Sequence, residues 1–282
     1  MSQKPGTLYL VGTPIGNLED VTLRALRVLS EVSLVAAEDT RVTRVVLARH
    51  GIEARLVSYH AHSPPGRLAE IVARLRGGES VALVSDAGMP GISDPGARLV
   101  AACAQAGIPT AVVPGPTAPE AALSVAGIAS KGFMFLGFLP SRSAARRAEL
   151  ERVRALPNAL VCFEAPHRLG ECLADLREAL GDRWAACARE LTKRFEEVVR
   201  GRLSELEAHF ASREPRGEFT LVVAGAEAAR AGPDLEGAAA EARELMAGGM
   251  SASRAVAHVA RWRRVPRREL YQAVAGGRAE GA

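Results

Sequence analysis

The stretch that decides the fold is Leu83-Val84-Ser85-Asp86-Ala87-Gly88-Met89-Pro90-Gly91-Ile92-Ser93-Asp94-Pro95-Gly96, where an aliphatic run stops in a loop of small residues, aspartates and prolines. Glycines let a backbone approach a bound molecule, prolines stiffen it, and carboxylates accept hydrogen bonds from hydroxyls and amines. Similar loops follow two other strand-like runs, at residues 12–17 and 113–118. This recurrence favours a ligand cradle over plain connections between strands and helices.

Strand-like and helix-like runs alternate from the N-terminus, which predicts an α/β domain with a largely parallel sheet. The loops at the ends of such strands gather at one edge of the sheet, so the three loops can share one ligand. The first domain is predicted to hold strands at 7–11, 33–36, 80–84 and 110–113, and helices at 20–29, 40–49, 68–75 and 95–106.

A second α/β pattern begins near residue 132, and a polar linker at 226–233 precedes three short helical stretches. Five arginines in and beside a helix at 143–155 predict a solvent-exposed face: Arg142, Arg146, Arg147, Arg152 and Arg154. The later elements are predicted as strands at 133–140, 159–163, 185–189, 195–201 and 219–224, and helices at 235–247, 252–263 and 267–274. We therefore predict two α/β domains, at 1–118 and 119–226, and a small basic three-helix domain at 233–282.

The 282 residues are enough for two compact domains, each with a core, and 48% hydrophobic with 24% charged residues fits a globular enzyme. The N-terminus has no signal-peptide pattern and no apolar run approaches the roughly 20 residues of a membrane helix, so we expect a cytoplasmic protein. The four cysteines lie singly in apolar segments and are expected to be buried thiols. Since only His60 and His62 lie close together, without cysteine partners, no metal site is expected.

Seven motifs follow one another along the chain: Gly-Thr-Pro-Ile-Gly-Asn-Leu (12–18), Ala-Glu-Asp-Thr-Arg (37–41), the 85–96 part of the opening stretch, Pro-Gly-Pro-Thr-Ala (114–118), Gly-Phe-Leu-Pro (137–140), Glu-Ala-Pro-His-Arg-Leu (164–169) and Arg-Glu-Leu-Thr-Lys-Arg-Phe-Glu-Glu (189–197). Together these motifs resemble the tetrapyrrole methylase superfamily of S-adenosylmethionine-dependent enzymes. They resemble in particular the branch that methylates the ribose 2′-hydroxyl of a cytidine in the decoding region of 16S ribosomal RNA, and the resemblance covers residues 7–225. Thr117 stands where a serine is usual in that branch, and it keeps the hydroxyl.

This resemblance implies a homodimer with S-adenosylmethionine in the cleft between two α/β domains. Such a donor needs acceptors for its hydroxyls and ammonium and an apolar slot for its adenine, which the cradle loops can offer. The predicted cofactor-binding residues of the first domain are Pro14, Gly16, Asp86, Ala87, Gly88, Met89, Ile92, Ser93, Pro114, Gly115, Thr117 and Ala118. The resemblance adds, from the second domain, Phe163, Glu164, Ala165, Pro166, Ala188, Gly217, Glu218 and Thr220.

A ribose hydroxyl is a poor nucleophile until its proton leaves, so an acceptor must lie within hydrogen-bond reach of it. Lys193 could accept the proton if burial depressed its pKa, or could hold a phosphate as a cation. Alternatively, Glu190, Lys193 and Glu197 form a structural set of ion pairs. The candidates at strand ends are Glu38, Asp39, Glu164 and the pair Glu190 with Lys193; we predict Lys193 and Glu190 as catalytic, with Asp39 as the competing candidate.

Between Arg254 and Arg268 there are six arginines and no acidic residue. Together with Trp262, whose ring can stack on a base, they predict a surface that binds 16S ribosomal RNA or the small ribosomal subunit. Guanidinium groups match phosphate oxygens in shape and charge. The predicted RNA-binding residues are Arg41, Arg44, Arg261, Arg263, Arg264, Arg267 and Arg268.

Two other functions compete with this one. A tetrapyrrole methyltransferase of the precorrin type would need no basic helical appendage, and the motifs at 37–41 and 189–193 are not expected in it. A non-catalytic RNA-binding ribosome assembly factor could share the fold, but retention of all three cradle loops argues against it.

Overall fold

The computed structural model describes residues 4–91, 96–212, 215–226, 235–263 and 265–276. The chain divides into two compact units, Met1–Gly225 and Ala226–Ala282. Within the described ranges, no helix has the length and apolar character needed to cross a membrane.

The first sheet has five strands, and every pairing between them is parallel, which confirms the predicted sheet. The strands are β1 (Leu8–Val11), β2 (Leu34–Ala37), β3 (Leu56–Ser58), β4 (Val81–Val84) and β5 (Thr110–Val113), in the order β3-β2-β4-β1-β5. The sequence does not predict β3, because three half-buried residues are too few for an alternating pattern.

Four helices cover the two faces of this sheet, as predicted. They are α1 (Leu23–Glu31), α2 (Thr40–Arg49), α3 (Pro65–Arg76) and α4 (Gly96–Gln105). α1 and α2 bury apolar residues in one cluster, and α3 and α4 bury theirs in a second cluster on the opposite face. Because each helix connects two parallel strands, the loops that leave the carboxyl ends of the strands lie at one edge of the sheet.

The second sheet is mixed. Its strands are β6 (Phe133–Phe138), β7 (Ala159–Glu164), β8 (Trp184–Arg189), β9 (Glu197–Arg202) and β10 (Phe219–Val223), in the order β6-β7-β10-β8-β9. β6 and β7 are parallel, whereas β10 lies antiparallel between β7 and β8, and β8 and β9 form an antiparallel pair. All five lie where the sequence predicts strands.

Four helices pack on the second sheet. They are α5 (Ala118–Ala126), α6 (Ser143–Val153), α7 (Leu169–Leu180) and α8 (Leu203–Ala211), of which the sequence predicts only α6. α6, α7 and α8 share one apolar cluster, and α5 covers the opposite face, where Ile15 from the loop after β1 joins the cluster. α5 therefore follows the first sheet in sequence but packs on the second.

Arg146 on α6 corrects the expectation of an exposed arginine face. Its side chain is fully buried, and its guanidinium lies 2.6 Å from the Asp175 carboxylate on α7. Ser143 Oγ donates to the other oxygen of Asp175 at 2.8 Å, and the Arg146 guanidinium also donates to the carbonyl of Pro140 at 3.3 Å. A buried charge needs such compensation, because desolvation is costly.

The C-terminal unit contains α9 (Leu235–Ala247), α10 (Ala252–Arg263) and α11 (Arg267–Gly276), close to the three predicted helices. Small and branched side chains such as Ala242, Val256 and Leu270 form its core. The four cysteines of the chain are free and buried, as expected.

Candidate active site

The loops after β1 and β4 are joined by a short antiparallel bridge. The Thr13 amide donates to the Gly88 carbonyl at 3.0 Å, and the Gly88 amide donates to the Thr13 carbonyl at 3.1 Å. The buried hydroxyl of Thr13 also donates towards the carbonyl of Ser85 at 3.1 Å. Sequence reasoning missed Thr13 and Ser85, although both lie inside the motifs that predicted the cradle.

The loop after β5 meets the other two at glycines. A Cβ atom on Gly12 would lie 2.7 Å from the backbone nitrogen and Cα of Gly115, and 2.7 Å from Met89 Sδ. Real Cβ atoms do not approach other heavy atoms so closely, so only glycine allows this contact. The predicted convergence of the three loops is therefore confirmed.

The bridge between Thr13 and Gly88 fixes the direction of the next amide in the loop after β4. The carbonyl of Gly88 points to Thr13, so the Met89 amide on the same planar peptide points away from Thr13. Asp86 is exposed, and its Oδ1 accepts from the Asp39 amide at 2.8 Å. This hydrogen bond ties the loop after β4 to the loop after β2.

Asp39 is the N-cap residue of α2, and its carboxylate accepts a hydrogen bond from the Arg41 amide at 2.8 Å. The Arg41 guanidinium also bonds this carboxylate, at 2.6 Å from Oδ2. These hydrogen bonds to Arg41 lower the pKa of Asp39 to about 2. An acceptor with so low a pKa holds a proton only weakly at neutral pH. The Arg41 side chain stays 85% exposed.

One row of predicted residues crosses the second sheet. Thr220 on β10 lies in register with Phe163 on β7 and with Ala188 on β8. Ala188 and its neighbours on this face belong to the cluster that contains Ile15, so the row faces the loop after β1.

Glu164 directly follows Phe163, so its side chain points to the other face of the sheet. Its side chain is fully buried, with Oε1 at 3.2 Å from the Arg168 guanidinium and accepting from the Ala165 amide at 2.8 Å. A ligand against the row can meet the backbone of Glu164 but not its carboxylate. The Glu164 carboxylate therefore pairs with Arg168 inside the protein and is not placed to accept a proton from a ligand on the opposite face of the sheet.

Lys193 lies in the turn between β8 and β9, held between two carboxylates. Its Nζ is 2.9 Å from Glu190 Oε1 and 2.9 Å from Glu218 Oε2, and the Glu218 amide donates to Glu190 Oε1 at 3.0 Å. Desolvation lowers the pKa of Lys193, but the hydrogen bonds to Glu190 and Glu218 outweigh it, so the net pKa is raised. Desolvation raises the pKa of Glu190, but its carboxylate accepts hydrogen bonds from Lys193 Nζ and from the Glu218 amide, and these outweigh desolvation, so the net pKa is lowered.

The ion pairs around Lys193 differ by one residue from the alternative set of Glu190, Lys193 and Glu197. Glu197 pairs with Arg189 at 3.2 Å, and Glu218 stands in its place beside Lys193. Spacing along the chain predicts the Glu190 partner, three residues away, but Glu218 comes from the loop before β10 and has no such signal.

The turn that carries Lys193 is strained and touches the first cradle loop. Glu190 and Thr192 have φ values of 51° and 64°, a left-handed conformation that costs about 1–3 kcal/mol for a residue other than glycine. A Cβ atom on Gly16 would lie 2.6 Å from Lys193 Cγ and 2.7 Å from the carbonyl oxygen of Leu191. The structure thus brings Gly16, Glu190, Lys193, Gly217 and Glu218 together beside the cradle.

The remaining cofactor candidates lie around these contacts. Thr117 caps α5, with its hydroxyl donating to the Glu120 carboxylate, and Ala118 is the first residue of that helix. Pro14 is buried, whereas Ala87 and Pro114 are exposed, and Ala165 and Pro166 are half-buried. Ile92 and Ser93 lie outside the described residues. In the described ranges, no three His, Cys, Asp or Glu side chains are grouped so as to hold a metal ion.

The predicted RNA-binding arginines differ in their contacts. Arg44, Arg261 and Arg268 are exposed. Arg263 pairs with Glu241 at 2.8 Å, and Arg267 donates to Ser253 Oγ at 3.2 Å. Trp262 in the C-terminal unit is 78% exposed. Arg264 lies outside the described residues.

The sequence matches the tetrapyrrole (corrin/porphyrin) methylase family over residues 7–207. The chain belongs to this family. Among the tetrapyrrole methylases, it is 52% identical to a protein named ribosomal RNA small subunit methyltransferase I from Micromonospora olivasterospora, over 81% of this chain and 74% of the relative. It is 46% identical to the protein of that name from Synechocystis sp., over 95% of this chain and 96% of the relative.

Solved tetrapyrrole methylases share the fold. A uroporphyrin-III C-methyltransferase from Thermus thermophilus, complexed with S-adenosylhomocysteine, superimposes with a TM-score of 0.56 at 24% identity, covering 78% of this chain and 97% of that chain. The predicted family and its two α/β domains, with C-terminal helices beyond them, are confirmed.

We predict that Gly115→Ala strongly weakens donor binding. Its Cβ would lie 2.9 Å from the carbonyl carbon and Cα of Gly12, both backbone atoms, so the loops must separate. Calorimetry with S-adenosylmethionine measures the loss, and thermal unfolding reports whether the fold persists. Gly170→Ala is the matched control, because a Cβ there meets nothing within 4 Å. Equal donor affinity in both variants would contradict a donor site at these loops.

Proposed function

We propose that this chain transfers a methyl group from S-adenosylmethionine to the ribose 2′-hydroxyl of a cytidine in the decoding region of 16S ribosomal RNA. The observation that supports the proposal is the contact of Gly16 with the turn that carries Lys193, which lies beside the three converging loops. The names of the relatives support ribosomal RNA of the small subunit as the substrate. S-adenosylmethionine is the methyl donor.

The cradle fits the donor by its chemistry. Asp86 and the outward amide of Met89 offer an acceptor and a donor of hydrogen bonds, while Met89 and Pro114 add apolar surface. When bound, S-adenosylmethionine supplies a methyl group on a sulfonium, and the residues around it hold the acceptor oxygen in line with that group. The row of Phe163, Ala188 and Thr220 closes the cleft from the second sheet.

Lys193 and Glu190 act at the acceptor. In the unbound protein Lys193 is a cation, because its pKa is raised, and it attracts the phosphates and ribose oxygens of RNA. Its partner Glu218 has a side chain that is 82% exposed, so RNA can displace it. Without Glu218, Lys193 loses one of the two hydrogen bonds that raise its pKa, and its ammonium can release a proton to bulk water. The neutral amine then takes the 2′-hydroxyl proton as the ribose oxygen bonds the methyl carbon and the sulfonium departs as a neutral thioether, while Glu190 orients the amine.

Asp39 remains the competing base, but its pKa of about 2 makes it a weak one. It fits better as the group that orients Arg41, whose exposed guanidinium can hold an RNA phosphate beside Arg44.

The test of the function is a map of 2′-O-methyl groups on 16S ribosomal RNA incubated with the protein and S-adenosylmethionine, as free RNA and as small subunits. One new methyl group on a decoding-region cytidine is expected. Methylation of a tetrapyrrole instead, or RNA binding without any transfer, would establish one of the two competing functions.

We predict that Lys193→Met lowers the single-turnover rate of methyl transfer at saturating donor and RNA. If Lys193 is the base, the rate of the unmodified enzyme rises with pH as the lysine deprotonates, and this limb disappears in the variant. Asp39→Asn should leave the limb in place, since a group with a pKa of about 2 is already ionised across the neutral range. Lys131→Met, which removes an exposed lysine, is the control.

A change in RNA affinity alone would make Lys193 a phosphate-binding cation. An unchanged rate in both Lys193→Met and Asp39→Asn would mean that alignment drives the transfer and that water takes the proton.

We predict that Arg261→Gln with Arg268→Gln weakens RNA binding and leaves donor affinity unchanged. Each phosphate contact that is lost should flatten the slope of log affinity against log salt by about 0.7–0.9. Filter binding of 16S ribosomal RNA over a salt series measures the slope. Arg24→Gln with Arg76→Gln, at two exposed arginines on α1 and α3, controls for the loss of two positive charges. Equal slopes in all variants would make the C-terminal helices structural.

The proposed working place is the cytoplasm, where ribosomal RNA is assembled into subunits. The homodimer implied by the resemblance stays a prediction, and sedimentation of the full chain tests it.

A further inference from the structure

The turn between β8 and β9 presents an aromatic ring and a guanidinium just beyond Lys193. Phe195 is 65% exposed, and Arg194 Cζ lies 5.5 Å from the centroid of the Phe195 ring. A cation over a ring is a favourable pair, and it keeps both planar groups at the surface. Neither residue has a place in the donor site or in the proton transfer proposed above.

Hydrogen bonds stabilise the turn that carries both Lys193 and Phe195. The Lys193 amide donates to the Glu190 carbonyl at 3.0 Å, and the Glu196 amide donates to the Lys193 carbonyl at 3.1 Å. The Glu196 carboxylate accepts the Thr192 amide at 2.6 Å. Two residues of extended chain span at most about 7 Å, so the Cα atoms of Phe195 and Lys193 lie within about that distance of each other.

Arg194 differs from the other cations of the turn in its partner. Nearby carboxylates are engaged, since Glu190 and Glu218 pair with Lys193 and Glu197 pairs with Arg189. Arg194 instead contacts the ring of Phe195. An exposed ring with a guanidinium beside it offers a base a surface to stack on and offers the adjoining phosphate a cation.

We propose that Arg194 and Phe195 form a stacking platform for an unpaired base of the RNA, next to the nucleotide whose ribose is methylated. This inference rests on the proposed function. The platform would bind the strand beside Lys193 equally in the ground state and the transition state, in addition to the phosphate contacts made by arginines elsewhere.

The first experiment uses the full chain with Phe195→Ala, Phe195→Trp and the control Trp184→Ala. Trp184 is 47% exposed and lies at the far end of β8, so its removal tests for the mere loss of a surface aromatic. Base stacking on an aromatic side chain corresponds to about a 5- to 150-fold change in affinity. Phe195→Ala should raise the KM for 16S ribosomal RNA within that range, with kcat and the donor affinity near their original values. Phe195→Trp should retain RNA binding.

The second experiment irradiates the protein with 16S ribosomal RNA that contains 5-iodocytidine and maps the crosslinked residue by mass spectrometry. A crosslink at Phe195 is expected. If the unaltered protein methylates the RNA while Phe195→Ala binds it equally well and no crosslink forms, the stacking inference is wrong and the proposed function stands. If the unaltered protein methylates no ribosomal RNA, the proposed function fails first. A change in sedimentation of Phe195→Ala without RNA would identify a contact between copies of the chain and overturn the inference.

Discussion

The architecture of the candidate site depends on the close approach of backbone to backbone where the loops after β1 and β5 cross. With Gly12 and Gly115 in contact, there is no room for a side chain on either. The Thr13–Gly88 bridge then locks the third loop to the first. A cradle built in this way presents backbone groups and short side chains, so its shape is set by the sheet and does not depend on flexible side chains.

A second contact completes the site from the other sheet. The aliphatic part of the Lys193 side chain packs against Gly16. The turn that carries Lys193 contains two residues with a left-handed backbone conformation. Such strain persists only where the surroundings fix it, and here the carboxylate of Glu190 is held by Lys193 and by the Glu218 amide. The charged turn that carries Lys193 thus packs against the loop after β1.

Much of the fold follows from the sequence, because the strands have recognisable patterns and the glycine-proline loops mark the strand ends, although only α6 of the four helices on the second sheet is predicted. The positions of all the described strands except β3 could be predicted in this way. α5 could not, since its alanines bury too little to give a distinct apolar stripe. Side-chain partners over long separations also gave no signal: the fully buried Arg146 reads as a surface residue until Asp175 of α7 is seen beside it. Glu218 is likewise invisible as the partner of Lys193 until the loop before β10 is placed.

α5 has a mechanical consequence for the enzyme's working cycle. It starts at the end of the loop that carries Gly115 and lies against the strands of the second sheet. A rigid helix of this kind transmits displacement, so any rocking of the second sheet would be felt at the point where the loops cross. Binding of the methyl donor at the loops would then be coupled to the position of the second sheet.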